Sequence, residues 1–165
     1  MRTWQAAGLY EGSLRAILHA FKYEGRRTLA QPLGRMLREA GADLLTDVSC
    51  VVPVPLHPWR RIARGFNQSA DLARALDLPV VHALWRTRRT QPQTGLSRAG
   101  RRRNVRGAFA VSPLLTRRTR DGLVDGRVVL LVDDVRTTGA TLDACARALR
   151  RAGAAGVRAL TVARA

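Results

Sequence analysis

Asp133 and Asp134 stand side by side, and Thr137, Thr138, Gly139, Ala140 and Thr141 follow within the same short stretch. Carboxylates accept hydrogen bonds, threonine hydroxyls donate them, and small residues leave backbone N–H groups open to a ligand. A phosphate suits the second half of this stretch and is repelled by the first. The two acids are therefore expected to face hydroxyls or a divalent cation. A sugar phosphate presents both kinds of group within a few ångströms of each other.

The elements that must position these residues are visible on either side. Val128 to Val132 is an apolar, mostly β-branched run, as in a strand buried on both faces of a parallel sheet. Leu142, Cys145, Ala146 and Leu149 recur at helical spacing, so a helix starts just after the small residues. The N-terminus of a helix offers unpaired N–H groups and the positive end of its macrodipole, and both favour phosphate. Other phosphate loops are excluded, because the chain has neither G-x-x-x-x-G-K-[ST] nor G-x-G-x-x-G.

Upstream, Leu14, Ile17, Leu18 and Phe21 share a helical face, with Ser13 as the expected N-cap and Gly25 as the stop. A second helix is predicted from about Thr28 to Glu39, with Leu29, Leu33, Met36, Leu37 and Ala40 as its apolar stripe. Lys22-Tyr23, between the two helices, is a weak functional candidate, and a solvated lysine is the expected reading. Cys50 to Pro55 reads as a short buried strand running into a proline-set loop that carries His57, Arg60, Arg61 and Arg64. Asn67 can cap a helix reaching Leu76. Val80-Val81 with Leu84-Trp85, and then Gly107 to Val111, read as strands. Between them lies a long basic loop, Arg86 to Arg106, with a short helix possible after Ser97. Leu114 to Gly126 is expected to be a polar connection. Gly153 should end the helix after the small-residue loop, and Val157 to Val162 the last strand. Alternating strands and helices predict one α/β domain, a parallel sheet flanked by helices, with ligands at the carboxyl ends of its strands.

Composition narrows the function classes. The 165 residues carry a formal net charge of +17, which favours a polyanionic partner. No acidic residue occurs from Leu78 to Arg120, where eleven arginines do. Arginine is also the rule elsewhere: Lys22 is the only lysine, as a GC-rich coding bias would give. No run approaches the roughly 18 apolar residues of a membrane span. The start of the chain has no apolar leader, and a cytoplasmic protein is expected. Cys50 and Cys145 are far apart in sequence and lie among apolar residues. With His19, His57 and His82 they form no zinc-ligand cluster, so zinc is not expected.

Val129 to Thr141 closely resembles the phosphoribosyl-pyrophosphate (PRPP) loop of type I phosphoribosyltransferases. The resemblance implies that Asp133 and Asp134 hold the ribose hydroxyls. It implies that Arg136, Thr137, Thr138, Gly139, Ala140 and Thr141 surround the 5-phosphate. Arg136 stands where that family usually has an apolar or small residue, and it either reaches a phosphate or points to solvent.

Further motifs are similar to those of the ComF (ComFC/GntX) family. They are Pro53-Val54-Pro55-Leu56-His57, Arg64-Gly65-Phe66-Asn67-Gln68, Arg101 with Asn104-Val105, and Gly107-Ala108-Phe109. The likeness runs from about Tyr10 to the C-terminus. It implies a PRPP-binding protein acting in natural transformation, where incoming single-stranded DNA is handled, with Mg²⁺ arriving on PRPP. It places His57, Arg60, Arg61 and Arg64 near the pyrophosphate. It makes Arg98, Arg101, Arg102, Arg103 and Asn104 part of a mobile loop or a DNA contact. Many ComF proteins carry an N-terminal four-cysteine zinc module, which this sequence, with its two cysteines, is expected to lack. An active phosphoribosyltransferase of nucleotide metabolism or salvage, without a DNA role, is the alternative. The attacking nucleophile, and with it catalysis, is not identified by the sequence, nor is the oligomeric state.

Overall fold

A computed structural model describes residues 4–56, 62, 64–87 and 107–165. His57, Arg60, Arg61, Arg98, Arg101, Arg102, Arg103 and Asn104 lie outside the described residues, as does the helix expected after Ser97.

Four parallel strands make the main sheet: β1 (Trp4–Leu9), β2 (Val48–Pro53), β5 (Val128–Arg136) and β6 (Gly156–Arg164), in the order β1-β6-β5-β2. A parallel bridge from Val51 to Val80 extends the β2 edge. The helices are α1 (Gly12–Tyr23), α2 (Ala30–Ala40), α3 (Ala42–Leu45), α4 (Gln68–Arg74), α5 (Arg117–Leu123) and α6 (Ala140–Arg151).

The apolar run in β5 fills both faces, as a doubly covered parallel strand requires. Val129 and Leu131 enter one core with Leu142, Cys145 and Leu149 of α6. Leu130 and Val132 enter the other with Leu18 and Phe21 of α1, Leu33 and Leu37 of α2 and Leu72 of α4. Successive side chains of a strand alternate between faces. The alternation carries on past Val132 and sets the two acids apart at the tip of β5.

Several details depart from the sequence expectations. β1, which those expectations omitted, pairs with β6 along the sheet edge. α1 begins after Glu11 instead of Ser13, and no side chain caps it. Arg27 to Leu29 form a 3₁₀ turn leading into α2. The supposed polar connection contains α5, whose N-cap Thr116 accepts a hydrogen bond from the Thr119 N–H. Strands β3 (Leu84–Arg86) and β4 (Phe109–Val111) pair antiparallel in a sheet of their own. They pack Leu84 and Phe109 into the α6-side core.

Other expectations match. Asn67 caps α4, its Oδ1 accepting from the Ser69 N–H at 3.1 Å. Gly25 and Gly153 adopt positive φ just beyond α1 and α6.

Candidate ribose-phosphate site

Strand β5 ends where the chain turns sharply into α6, and the turn depends on one residue. Gly139 has φ 77° and is the N-cap of α6. That left-handed conformation is open to glycine at little cost and strained for other residues. Its carbonyl accepts the Asp143 N–H at 2.9 Å, which starts the helix. The first turn leaves N–H groups without intrahelical partners. Thr137 is exposed and Thr138 and Thr141 are half-buried, so hydroxyls border the same opening.

Two adjoining cavities meet at this turn. The larger, of about 390 Å³, is lined by Trp4, Arg136, Thr137, Thr138 and Gly139. The smaller, of about 30 Å³, lies between the tip of β5 and the start of α6, and Asp133, Thr137, Gly139 and Thr141 line it. Acid and small-residue turn therefore border one cleft, as the order of residues in the sequence implies.

The two aspartates have different surroundings. Asp133 is half-buried. Its Oδ1 accepts from the Ser69 hydroxyl and from the Asp134 N–H, each at 2.9 Å. Desolvation raises its carboxyl from the ordinary 3.8 to about 7, and the charge of Asp134 adds to the rise. The Asp134 N–H, the Ser69 hydroxyl and Lys22 oppose it. Asp134 is buried. Its Oδ1 accepts the Val135 N–H at 2.6 Å, and its Oδ2 accepts from Gln68 Nε2 at 2.9 Å and lies 3.1 Å from Lys22 Nζ.

Lys22 corrects an expectation. Its side chain is only 13% exposed and forms a buried ion pair, so it is not a solvated lysine. The sequence marked it only as a weak candidate and could not name its partner, because α1 lies more than a hundred residues before β5. The one signal was that this cation alone is a lysine. Gln68 and Ser69 were also missed as partners of the acids. They stand in the first turn of α4, the position that the Asn67 cap already fixed. Gln68 Oε1 is buried with no hydrogen-bond partner among the described residues. Trp4 was missed because its strand was.

Of the basic residues expected near the site, Arg136 lines both cavities. Arg64 sits over the Tyr23 ring, its guanidinium carbon 4.8 Å from the centroid, beside the end of α1. A third cavity, of about 520 Å³, opens at the β2 edge near Phe66, Asp71 and Trp85. Asp71 there accepts from Arg27 at 2.7 and 2.9 Å and from Arg74 at 2.8 Å. Cys50 and Cys145 are free and buried, and burial raises both thiols. Among the described residues no three His, Cys, Asp or Glu side chains gather as a metal site. No helix among them is long and apolar enough to cross a membrane.

Residues 63–165 match the family described as the phosphoribosyl transferase domain. Competence protein F of Haemophilus influenzae is 33% identical over 168 residues, covering 96% of this chain and 71% of the relative. DNA utilization protein YhgH of Escherichia coli strain K12 is 35% identical over 163 residues, covering 90% of this chain and 66% of the relative. Among solved structures, the glutamine phosphoribosylpyrophosphate amidotransferase from B. subtilis superposes with a TM-score of 0.51 at 25% identity. That match covers 82% of this chain and 26% of the other.

Proposed function

The chain belongs to the phosphoribosyl transferase domain family, in the company of competence protein F, and on that premise we propose that it binds PRPP at the carboxyl end of β5. The ribose diol lies against Asp133 and Asp134. The 5-phosphate lies in the turn from Arg136 to Thr141, where the N-terminus of α6 and threonine hydroxyls border one opening. The diphosphate points toward the basic loop of His57, Arg60, Arg61 and Arg64. One observation carries the reading: Asp133 lines a single cleft with Thr137, Gly139, Ala140 and Thr141.

Magnesium enters on the ligand. It keeps several waters and is commonly held through substrate phosphates, not by an all-protein cage. Were the bound ligand to react, diphosphate would leave C1′, and positioning and charge neutralisation would be the protein's share. The free, buried Cys50 and Cys145 suit a reducing compartment, and the cytoplasm is the one proposed.

The names of the two relatives, with the net charge of +17, support a role in handling single-stranded DNA during competence. PRPP binding is tested by calorimetric titration of the whole chain with and without Mg²⁺. Saturable binding that needs Mg²⁺ and is weakened in Asp133→Asn is expected. No heat beyond dilution under either condition would refute the reading.

A further inference from the structure

Two carboxylates at the tip of one strand, both withdrawn from bulk water, repel each other and lose solvation together. Such a pair tends to hold a shared proton. Here one cation enters that environment. The ammonium of Lys22 comes from α1 and lies 3.1 Å from Asp134 Oδ2, while Gln68 Nε2 of α4 reaches the same oxygen at 2.9 Å. The Tyr10 ring lies on another side, its centroid 5.9 Å from Nζ.

We propose that Lys22 is the positioning residue of the site, the counter-charge that lets Asp133 and Asp134 stand ionised side by side for the ribose diol. This rests on the PRPP reading above. Lys22 acts through Asp134 and does not touch the sugar.

The residue type fits the space. An ammonium is a compact point charge with three donors, whereas a guanidinium is a planar fork that needs room for two parallel bonds. All other basic positions of this chain except the histidines are arginine, and the one paired with Asp134 is lysine. Removing one partner of a buried pair leaves the other charge uncompensated, and the usual relief is uptake of a proton. In this site the proton would go to the acid pair. A protonated carboxyl donates a hydrogen bond and cannot accept two hydroxyls in the same way.

Every charged neighbour of Asp133 bears on that balance. Asp134 lies beside it on β5 and Lys22 approaches from α1, while Ser69 of α4 donates to it. Cys145 of α6 faces it from the other core, and the Cys145 thiol also feels Arg86 and Arg147. Lys22 is the cation among these that lowers the Asp133 carboxyl, and Asp134 is the anion that raises it.

The test uses Lys22→Met, which keeps the chain length without the charge, and Lys22→Arg, which keeps a charge. In the ligand-free protein, carbon-detected NMR follows the Asp133 carboxyl through neutral pH. Its midpoint should rise by about one unit or more in Lys22→Met and stay within about half a unit in Lys22→Arg, one unit being a tenfold change in proton affinity. PRPP affinity of Lys22→Met should fall about tenfold at pH 7 and largely recover near pH 9, where Asp133 ionises again. An unmoved midpoint in folded Lys22→Met would overturn the proposal. So would an affinity loss of equal size at every pH, which would mark Lys22 as a direct phosphate contact or a merely structural residue. If Lys22→Met does not fold, Asp134→Asn reads the coupling from the other side: the Asp133 midpoint should drop by about one unit, and no drop overturns the proposal. If wild-type protein binds no PRPP at any pH, the functional reading fails, and the ligand-free titration still decides the role of Lys22.

Discussion

Trp4 lies against Gly139. A Cβ added at position 139 would stand 3.2 Å from the indole Cζ3 of Trp4. The first strand of the chain thus supplies the floor beneath the turn that starts α6, and the same indole lines the larger cavity. Gly139→Ala meets two obstacles, a left-handed φ of 77° and this contact. We expect it to weaken PRPP binding at least about tenfold and to lower stability by about 1–3 kcal/mol, the cost of a strained backbone residue. Calorimetry and urea unfolding measure the two effects. Adding Trp4→Ala should not restore binding, because the backbone strain remains. Full recovery in the double variant would assign the whole effect to the contact.

Asp133 makes stability depend on pH in a definite direction. Its carboxyl rises from 3.8 in the ordinary case to about 7 in the folded protein, so the folded state holds the proton more tightly than the unfolded state. Between those values folding takes up a proton, and stability falls as pH rises from about 4 to about 7. Above that window the loss is complete and constant. Asp133→Asn removes the charge that burial penalises. It should be more stable than wild type at pH 8, with an advantage that shrinks toward pH 4. Urea unfolding of both proteins at the two pH values tests this, and an advantage that grows toward acid pH would reverse the assignment.

Leu130 and Leu131 are both fully buried, on opposite faces of β5. Leu130→Ala and Leu131→Ala should each cost about 2–5 kcal/mol in chemical unfolding. A sheet with one wet face would show one large and one small loss. Such a difference would contradict the two-sided packing.

Single-stranded DNA binding, as proposed from the relatives and the charge, should weaken steeply with salt. Each phosphate neutralised on a single strand contributes about 0.7 to the slope of log affinity against log salt. Replacing Arg101, Arg102 and Arg103 with Ala should flatten that slope by about 2 if all three meet phosphate. A triple variant that loses PRPP affinity while its DNA slope stays unchanged would assign these arginines to the diphosphate instead.

What the sequence made legible follows from range. The strand–acid–turn–helix order around Asp133 and Gly139 is local, and so are the Asn67 cap and the Gly153 stop. All three match the fold. Trp4 to Leu9 carries no strong alternation and becomes a strand only because β6 offers it a partner. α5 was hidden in a stretch of arginines and a glycine, and only the Thr116 cap betrays it. The pairing of Lys22 with Asp134 spans most of the chain, and no periodicity encodes it. Adjacent acids in a sequence look equivalent. Their division into a half-buried Asp133 and a buried, paired Asp134 arises from the alternation of β5 between two cores.

The order β1-β6-β5-β2 also governs when the molecule can exist. Both central strands come from the last part of the sequence, and among the described residues β1 at the edge pairs with β6 alone. During synthesis on the ribosome, α1, α2 and α4 emerge with their apolar faces and have no sheet to cover. The nucleus must wait for β5 and β6, and long-range parallel pairing of this kind closes slowly. A chain cut short before β5 and β6 is therefore expected to leave the apolar faces of α1, α2 and α4 uncovered instead of forming a smaller working domain.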